Sequence, residues 1–443
     1  MAKELVYDFR IKTLGPCKVP SPKPYSTQLG DSIANYTRDD QYILRSNTAG
    51  VGGCGSSYDP AWMLEEAGPR QKIYFSPNHV NAAVVTCGGL CPGLNDVVRA
   101  ITRTLWYFYG VERINGIRYG YRGFRPEFHY TPMALNPDVV DDIHHLGGSL
   151  LGSSRGYGDV EPIVDALERM NINMLFTIGG DGTQRGSLEI SEEIEKRGLK
   201  IACVGIPKTI DNDVMFVHKS FGFDTAVSKA VEAVDAAHIE AKSAPDGIGI
   251  VKVMGRDSGF IAAHTTLSTS EVNFCLIPEI PFTLDGENGL MRSLEKRLDK
   301  RGHAVILVAE GAGQELLKTG KDSKDASGNK SLGDIGIFLR DSIRDYLISQ
   351  GREANIKYID PSYIIRASAA SPADSHYCAR LGANAVHAAM SGRTGCIIGQ
   401  WNNALVHVPI PMATFKRKQV DNEGPIWRDV LESTRQPISM VGD

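Results

Sequence analysis

From Asn81 onward the chain repeats one pattern: a short β-branched run, a glycine-rich turn, then apolar residues at helical spacing. Strands buried on both faces read as continuous apolar runs, while a covering helix shows a single apolar stripe. The alternation therefore predicts an α/β fold of parallel sheets with helices on both faces. NAAVVTC (81–87) leads into GGLCPG, after which Leu94, Val97, Val98, Ile101 and Leu105 mark one helix face. MLFTIGGDG (174–182) and IACVGIPKTIDND (201–213) are further buried strands, the first preceded by a helical stripe of Val160, Ile163, Val164 and Leu167. A second series follows, with a helix marked by Phe223, Ala226, Val227, Ala230, Val231 and Val234, then strands in GIGIVKVMG (247–255) and HAVILVAEG (303–311). Two lobes meeting near residue 215 are expected, with ligands in a cleft outside the carboxyl ends of the strands.

Outside that pattern the texture changes. Residues 1–78 are rich in Pro, Gly, Ser and charge and predict an arm that wraps something else. The lobes are then 79–215 and 216–400, with 401–443 packing back across them. Residues 313–330 lose apolar content after Leu317 and predict a mobile, solvated loop. A net charge of -4, with 48 Lys and Arg scattered along the chain, excludes a basic nucleic-acid surface. No apolar run approaches the roughly 20 residues that span a bilayer, and the start MAKELVYDFRIKTLGP has no apolar core of a signal peptide, so no membrane and a cytoplasmic location are expected. The eight cysteines, among them Cys87, Cys203, Cys275 and Cys396 in apolar stretches, read as reduced core residues. Cys87 and Cys91 lack the second pair or the histidines that a metal site needs.

The predicted strand ends carry the chemistry. GGDGT (179–183) places two glycines where backbone can approach a phosphate, and Asp181 behind them can hold Mg²⁺; a tight turn with a solvated Asp would account for GGD alone. In TIDND (209–213) an extended backbone would point Asp211 and Asp213 the same way. Such a pair suits phosphoryl transfer, which needs a base near the acceptor hydroxyl and cations over the transferring oxygens. GGLCPG (88–93) opens a helix whose free amides favour phosphate, although neither Walker nor dinucleotide spacing is present. Arg155 in LGSSRG and Arg256 in MGRDSG sit in glycine-rich turns where a guanidinium could clamp phosphate oxygens.

Taken in order, GGLCPGLND, GYRGF, LGSSRG, GGDGTQRG, PKTIDND, MGRDSG, AEG and PSYIIR resemble the signature of the phosphofructokinase family, in its long ATP-dependent trypanosomatid and plant-like branch. The resemblance runs from about Asn81 to Trp401. It implies phosphorylation of fructose 6-phosphate at its 1-hydroxyl by Mg-ATP, with 79–215 as the nucleotide lobe and 216–400 as the sugar-phosphate lobe. Asp211 matches the general base, with Asp213 and Thr209 as partners of the metal and the transferring phosphate. Asp181 matches the Mg²⁺ residue. Gly89, Tyr121, Arg155, Gly182, Thr183, Gly186 and Lys208 match the nucleotide side. Met254, Gly255, Arg256, Glu310, Lys357, Tyr363 and Arg366 match the sugar side, Arg366 on the 6-phosphate. A cytoplasmic, allosteric homotetramer is implied as well.

Three positions depart from the compact bacterial enzymes, which carry His and Arg where this chain has Tyr363 and Lys357, and a further Arg at Gly247. Donor choice turns on Gly182. Pyrophosphate-using relatives share Lys208 but carry Asp in place of this glycine, and a carboxylate there would repel the α-phosphate, so glycine favours ATP. A pyrophosphate-dependent enzyme and a catalytically silent sugar-phosphate sensor are the alternatives. The second predicts loss of the base, yet Asp211 is present.

Overall fold

The computed structural model describes residues 7–46, 62–156, 158–317 and 332–441. The chain divides into two compact units: 1–209 with 214–222 and 368–416, and 210–213 with 223–367 and 417–443. This division is not the linear one expected from sequence. Residues 368–400 join the first unit, and the four residues 210–213 join the second.

Strand pairing explains the first of these differences. Cys396–Trp401 opens with Cys396, Ile397 and Ile398, all fully buried, and runs parallel beside Ala202–Pro207 with Val204 opposite Cys396. The first unit's sheet continues through Met174–Gly179, Ala82–Thr86 and Ile114–Ile117, all parallel. Antiparallel strands Ala404–Pro409 and Met133–Ala134 close its two edges. Helix Leu94–Arg103 buries the expected stripe of Leu94, Val97, Val98 and Ile101 and packs on helix Pro372–Met390. Gly382 permits that approach, because a Cβ there would lie 2.6 Å from the Cβ of Ala100 and 3.0 Å from the carbonyl oxygen of Val97.

The described part of the N-terminal arm is fastened to its own unit. Lys12–Thr13 pairs with Arg393–Thr394, and Arg70 and Arg393, both buried, share the Glu65 carboxylate at 2.8 and 2.5 Å. A buried charge is tolerable only when paired in this way. Residues 1–6 and 47–61 of the expected arm lie outside the described residues.

In the second unit a four-stranded, all-parallel sheet runs in the order Phe274–Leu276, His303–Ala309, Gly247–Val253, Ile356–Ile359. Ile248, Ile250, Leu276, Ile306 and Val308 form its core with Leu339, Ile343 and Leu347 of helix Ile335–Ser349. Residues 318–331, most of the expected solvated loop, lie outside the described residues. Among the described residues no helix is long and apolar enough to cross a membrane.

Candidate active site

In the first unit the three central strands end level, with Thr86 opposite Ile178 and Pro207 opposite Gly179. Their turns therefore meet. The Gly88 amide donates to the carbonyl of Ser154 at 2.9 Å while the Ser153 hydroxyl donates to the carbonyl of Gly88 at 2.5 Å, which lays the GGLCPG turn along the loop bearing exposed Arg155. The Lys208 amide donates to the Gly179 carbonyl at 2.9 Å, and its Nζ lies 3.1 Å from where a Cβ on Gly88 would sit. Gly88 itself has φ +84°, a conformation that favours glycine. Gly89 and Gly182 are different: neither has positive φ, and a Cβ on either would meet no atom within 4 Å. Nothing in the protein's own packing demands glycine at these two positions.

Helix Asp181–Lys196 begins at the end of strand Met174–Gly179, and the amides of Thr183 and Gln184 close its first turn on the Gly180 carbonyl. Buried Gln184 reaches the carbonyls of Thr177, Gly179 and Ile206 at 3.3, 3.0 and 3.2 Å, tying two strand ends to the helix start. Gly205 makes room for it, since a Cβ there would lie 2.0 Å from the Gln184 Oε1. Tyr121 is placed in the core, 1% exposed, with its hydroxyl donating to the Thr183 carbonyl at 2.9 Å; it braces the helix start, a supporting place rather than the ligand-facing one the resemblance implies. Thr183 and Gly186 lie on the buried side of the same helix.

Asp181 stands in the first helical turn, where a negative charge is favoured, and its carboxylate pairs with Arg185 at 2.8 Å. Among the described residues no group of three or more His, Cys, Asp or Glu could cage a metal ion. A single accessible carboxylate suits Mg²⁺, which keeps waters and phosphate oxygens as most of its ligands.

The second unit brings another set together. Strands Gly247–Val253 and His303–Ala309 also end level, the Glu310 amide donating to the Val253 carbonyl at 2.9 Å and the Gly311 amide to the Gly255 carbonyl at 3.0 Å. Gly311 has no alternative, because a Cβ there would lie 1.9 Å from the Arg256 carbonyl oxygen. Glu310 is raised above the ordinary carboxylate range by burial, against the pull of Arg366, Arg256 and Lys252. Asp211 is raised to about 8, first by burial and then by the neighbouring charges of Asp213 and Glu310, with Arg366 and Arg417 opposing. Asp211, Asp213, Glu310, Arg256 and Arg366 thus belong to one charged cluster, and Met254, two residues before Arg256, is buried.

The TIDND segment is not extended. It turns at Ile210–Asp211 and carries Asn212 at φ +56°, a left-handed conformation that asparagine tolerates better than most residues. The two carboxylates are neighbours for that reason, not by strand alternation. Arg417 and Lys418, which sequence reasoning missed, hold the turn. Arg417 pairs with Asp213 at 2.6 Å, the Lys418 amide donates to the Asp213 carbonyl at 2.8 Å, and the Lys418 Nζ donates to the Asn212 side-chain oxygen at 3.2 Å. Burial holds the Lys418 ammonium down to about 8 despite Asp213.

Some expected residues stand elsewhere. Tyr363 is 83% exposed, and Lys357 faces Glu240 at 3.9 Å, so neither joins the Asp211 cluster within this chain. Thr209 directly precedes the Asp211 turn, its carbonyl accepting from the Ser220 hydroxyl at 2.6 Å. At Gly247 no side chain fits, because a Cβ would lie 2.0 Å from the Ala241 carbonyl oxygen.

Comparison with known proteins agrees with this geometry. Residues 81–389 match the family model described as "Phosphofructokinase". The chain is 56% identical over 441 residues to the ATP-dependent 6-phosphofructokinase of Borreliella burgdorferi, covering 98% of each chain. It is 50% identical to ATP-dependent 6-phosphofructokinase 7 of Arabidopsis thaliana, over 84% of this chain and 77% of that one. The fold is that of a pyrophosphate-dependent phosphofructokinase from Marinobacter aquaeolei, with a TM-score of 0.67 over 80% of this chain and 91% of that chain at 21% identity. With strand-end glycines, a carboxylate turn and a near full-length relative in agreement, the chain belongs to the phosphofructokinase family.

Proposed function

We propose that this protein is an ATP-dependent 6-phosphofructokinase, transferring the γ-phosphoryl group of Mg-ATP to the 1-hydroxyl of fructose 6-phosphate. The observation that carries this reading is the 56% identity, along 98% of both chains, to a relative named for that activity. Glycine at 182, where a Cβ would meet no atom within 4 Å, leaves room beside the helix start for a nucleotide, which supports ATP as donor. The pyrophosphate-dependent neighbour, at 21% identity, speaks for the fold alone.

Each residue's part follows from its chemistry. Asp211 takes the proton of the 1-hydroxyl as the oxygen attacks the γ-phosphorus, and the bond to the departing ADP oxygen breaks. A carboxyl whose affinity for protons is raised by burial, and further by Asp213 and Glu310, is a stronger base than an ordinary aspartate. Arg256 and Lys208 supply positive charge toward transferring and bound phosphates, and Arg366 grips the 6-phosphate as a fork of donors. Glu310 accepts from a sugar hydroxyl, and the Gly89 amide donates toward the γ-phosphate. Asp181 would hold Mg²⁺, which when bound neutralises charge on the phosphate oxygens. We place the enzyme in the cytoplasm as a homotetramer, as the family resemblance implies. Turnover of fructose 6-phosphate measured with ATP and with pyrophosphate tests the assignment: ATP should give the higher rate, and a faster rate with pyrophosphate would overturn it.

A further inference from the structure

The turn that carries Asp211 is a four-residue island of the second unit, flanked in sequence by Thr209 and Val214 of the first. Its own backbone gives it little support, since it lies in no strand or helix and passes through a left-handed asparagine. Two other parts of the second unit help to fix it. The Ser258 hydroxyl, in the MGRDSG loop, donates to the Asp211 carbonyl at 3.1 Å. The C-terminal segment adds further contacts. The Arg417 guanidinium reaches Asp213 at 2.6 Å with one nitrogen and Asp257 of the MGRDSG loop at 3.2 Å with another. The segment is itself anchored: the Gln419 side-chain amide donates to the Asp257 carbonyl at 3.1 Å, and the Val420 amide donates to Glu279, whose same oxygen accepts from the Gly259 amide at 2.9 Å.

We infer that Arg417 is a positioning residue for phosphoryl transfer, bridging Asp213 and Asp257 so that the base-bearing turn and the Arg256 loop keep one fixed spacing. The inference rests on the kinase reading above and assigns Arg417 no contact with substrate. Two features argue for more than surface charge pairing. Asp213 is 7% exposed and Arg417 only 31%, so their contact is far less screened than a solvent-exposed pair. The bridge also uses two different guanidinium nitrogens on two different loops, a geometry that a lysine cannot reproduce. Because Asp211 and Arg256 lie next to the bridged residues, a loosened bridge misaligns the base against the acceptor side while leaving the grips on ATP and the 6-phosphate in place.

The test uses the full chain with Mg-ATP and fructose 6-phosphate. Arg417→Gln should lower kcat by about 10- to 100-fold while both KM values stay within about threefold, the signature of misplacement rather than lost binding. Arg417→Lys should recover only part of that loss. Asp257→Asn, which cuts one arm of the bridge and leaves no buried charge behind, should lower kcat by about 3- to 10-fold. The double variant should be no slower than Arg417→Gln to within about twofold, because both changes break one device. Wild-type turnover with a kcat for Arg417→Gln within twofold of normal, or fully multiplicative losses in the double variant, overturns this inference and leaves the kinase reading standing. Absence of wild-type turnover overturns the kinase reading and this inference with it. Should Arg417→Gln fail to fold, Asp257→Asn and Arg417→Lys decide alone, and normal kcat in both overturns the inference.

Discussion

The glycine turns of the first unit and the aspartate turn of the second are both built at the ends of parallel strands, yet they are held in opposite ways. The first set is local: Gly88, Gly180 and Lys208 follow three adjacent strands, and Gln184, from the helix that starts there, ties the strand ends together. The second is remote. Ile210–Asp213 depends on Ser258 and on Arg417 and Lys418, residues some two hundred positions downstream in the latter case. A phosphate cradle made of backbone needs only level strand ends and glycine, so neighbouring sequence can supply it. Two neighbouring carboxylates partly withdrawn from solvent need counter-charges from outside their own segment, or the two acids would repel each other out of register.

Breaking the aspartate turn chemically should have the largest effect. Asp211→Asn keeps the shape of the turn but removes the proton acceptor, and we expect kcat to fall by about a thousandfold with the KM for fructose 6-phosphate nearly unchanged. Near-normal kcat in that variant would take Asp211 out of the mechanism. On the glycine side the corresponding probe is Gly182→Asp. Because a Cβ there meets no atom within 4 Å, the fold should tolerate it, and thermal unfolding should match wild type. The added carboxylate should raise the KM for ATP by about 10- to 100-fold through repulsion of the α-phosphate. An unchanged KM for ATP would mean that the space at Gly182 is not where the donor lies.

The same contrast decides what was legible in the sequence. Alternating strands and helices, and the glycine turns at their ends, follow from local periodicity, and the five strands read from it are present in the two sheets. Gly89 follows strand Ala82–Thr86 and Gly182 opens the helix after Met174–Gly179, placements that local sequence also makes legible. The conformation of TIDND was not legible, because the residues that contact Asn212 and Asp213, Lys418 and Arg417, lie in no window around residue 212. The return of Cys396–Trp401 to the first sheet is long-range strand pairing, which periodicity cannot address. Tyr121 was misplaced for a simpler reason: a tyrosine in a glycine-rich motif can face a ligand or brace the backbone beneath it, and only the 2.9 Å bond to the Thr183 carbonyl distinguishes the two.

The smallest effect separates the two acids by sign. Asp181 sits in a first helical turn with Arg185 beside it, an arrangement that favours negative charge, so Asp181→Asn should cost the fold about 0.3–1 kcal/mol at neutral pH. Asp211 is in the contrary position. Its proton is held more tightly in the folded chain than in the unfolded one, so its contribution to stability is complete below the ordinary carboxylate range and is lost as pH rises through the folded value of about 8. Asp211→Asn carries no charge to bury at any pH, and it leaves Asp213 and Glu310 one fewer like neighbour. In the ligand-free protein its unfolding temperature should therefore gain on wild type between pH 4 and pH 8, ending a few degrees, roughly 2–4 °C, higher at the alkaline end. Unfolding temperatures measured across that range without nucleotide or sugar would decide the matter. A gain that does not grow with pH would mean that Asp211 is not strained by its burial and its neighbours, and the two carboxylates would then be alike in energy as well as in residue type.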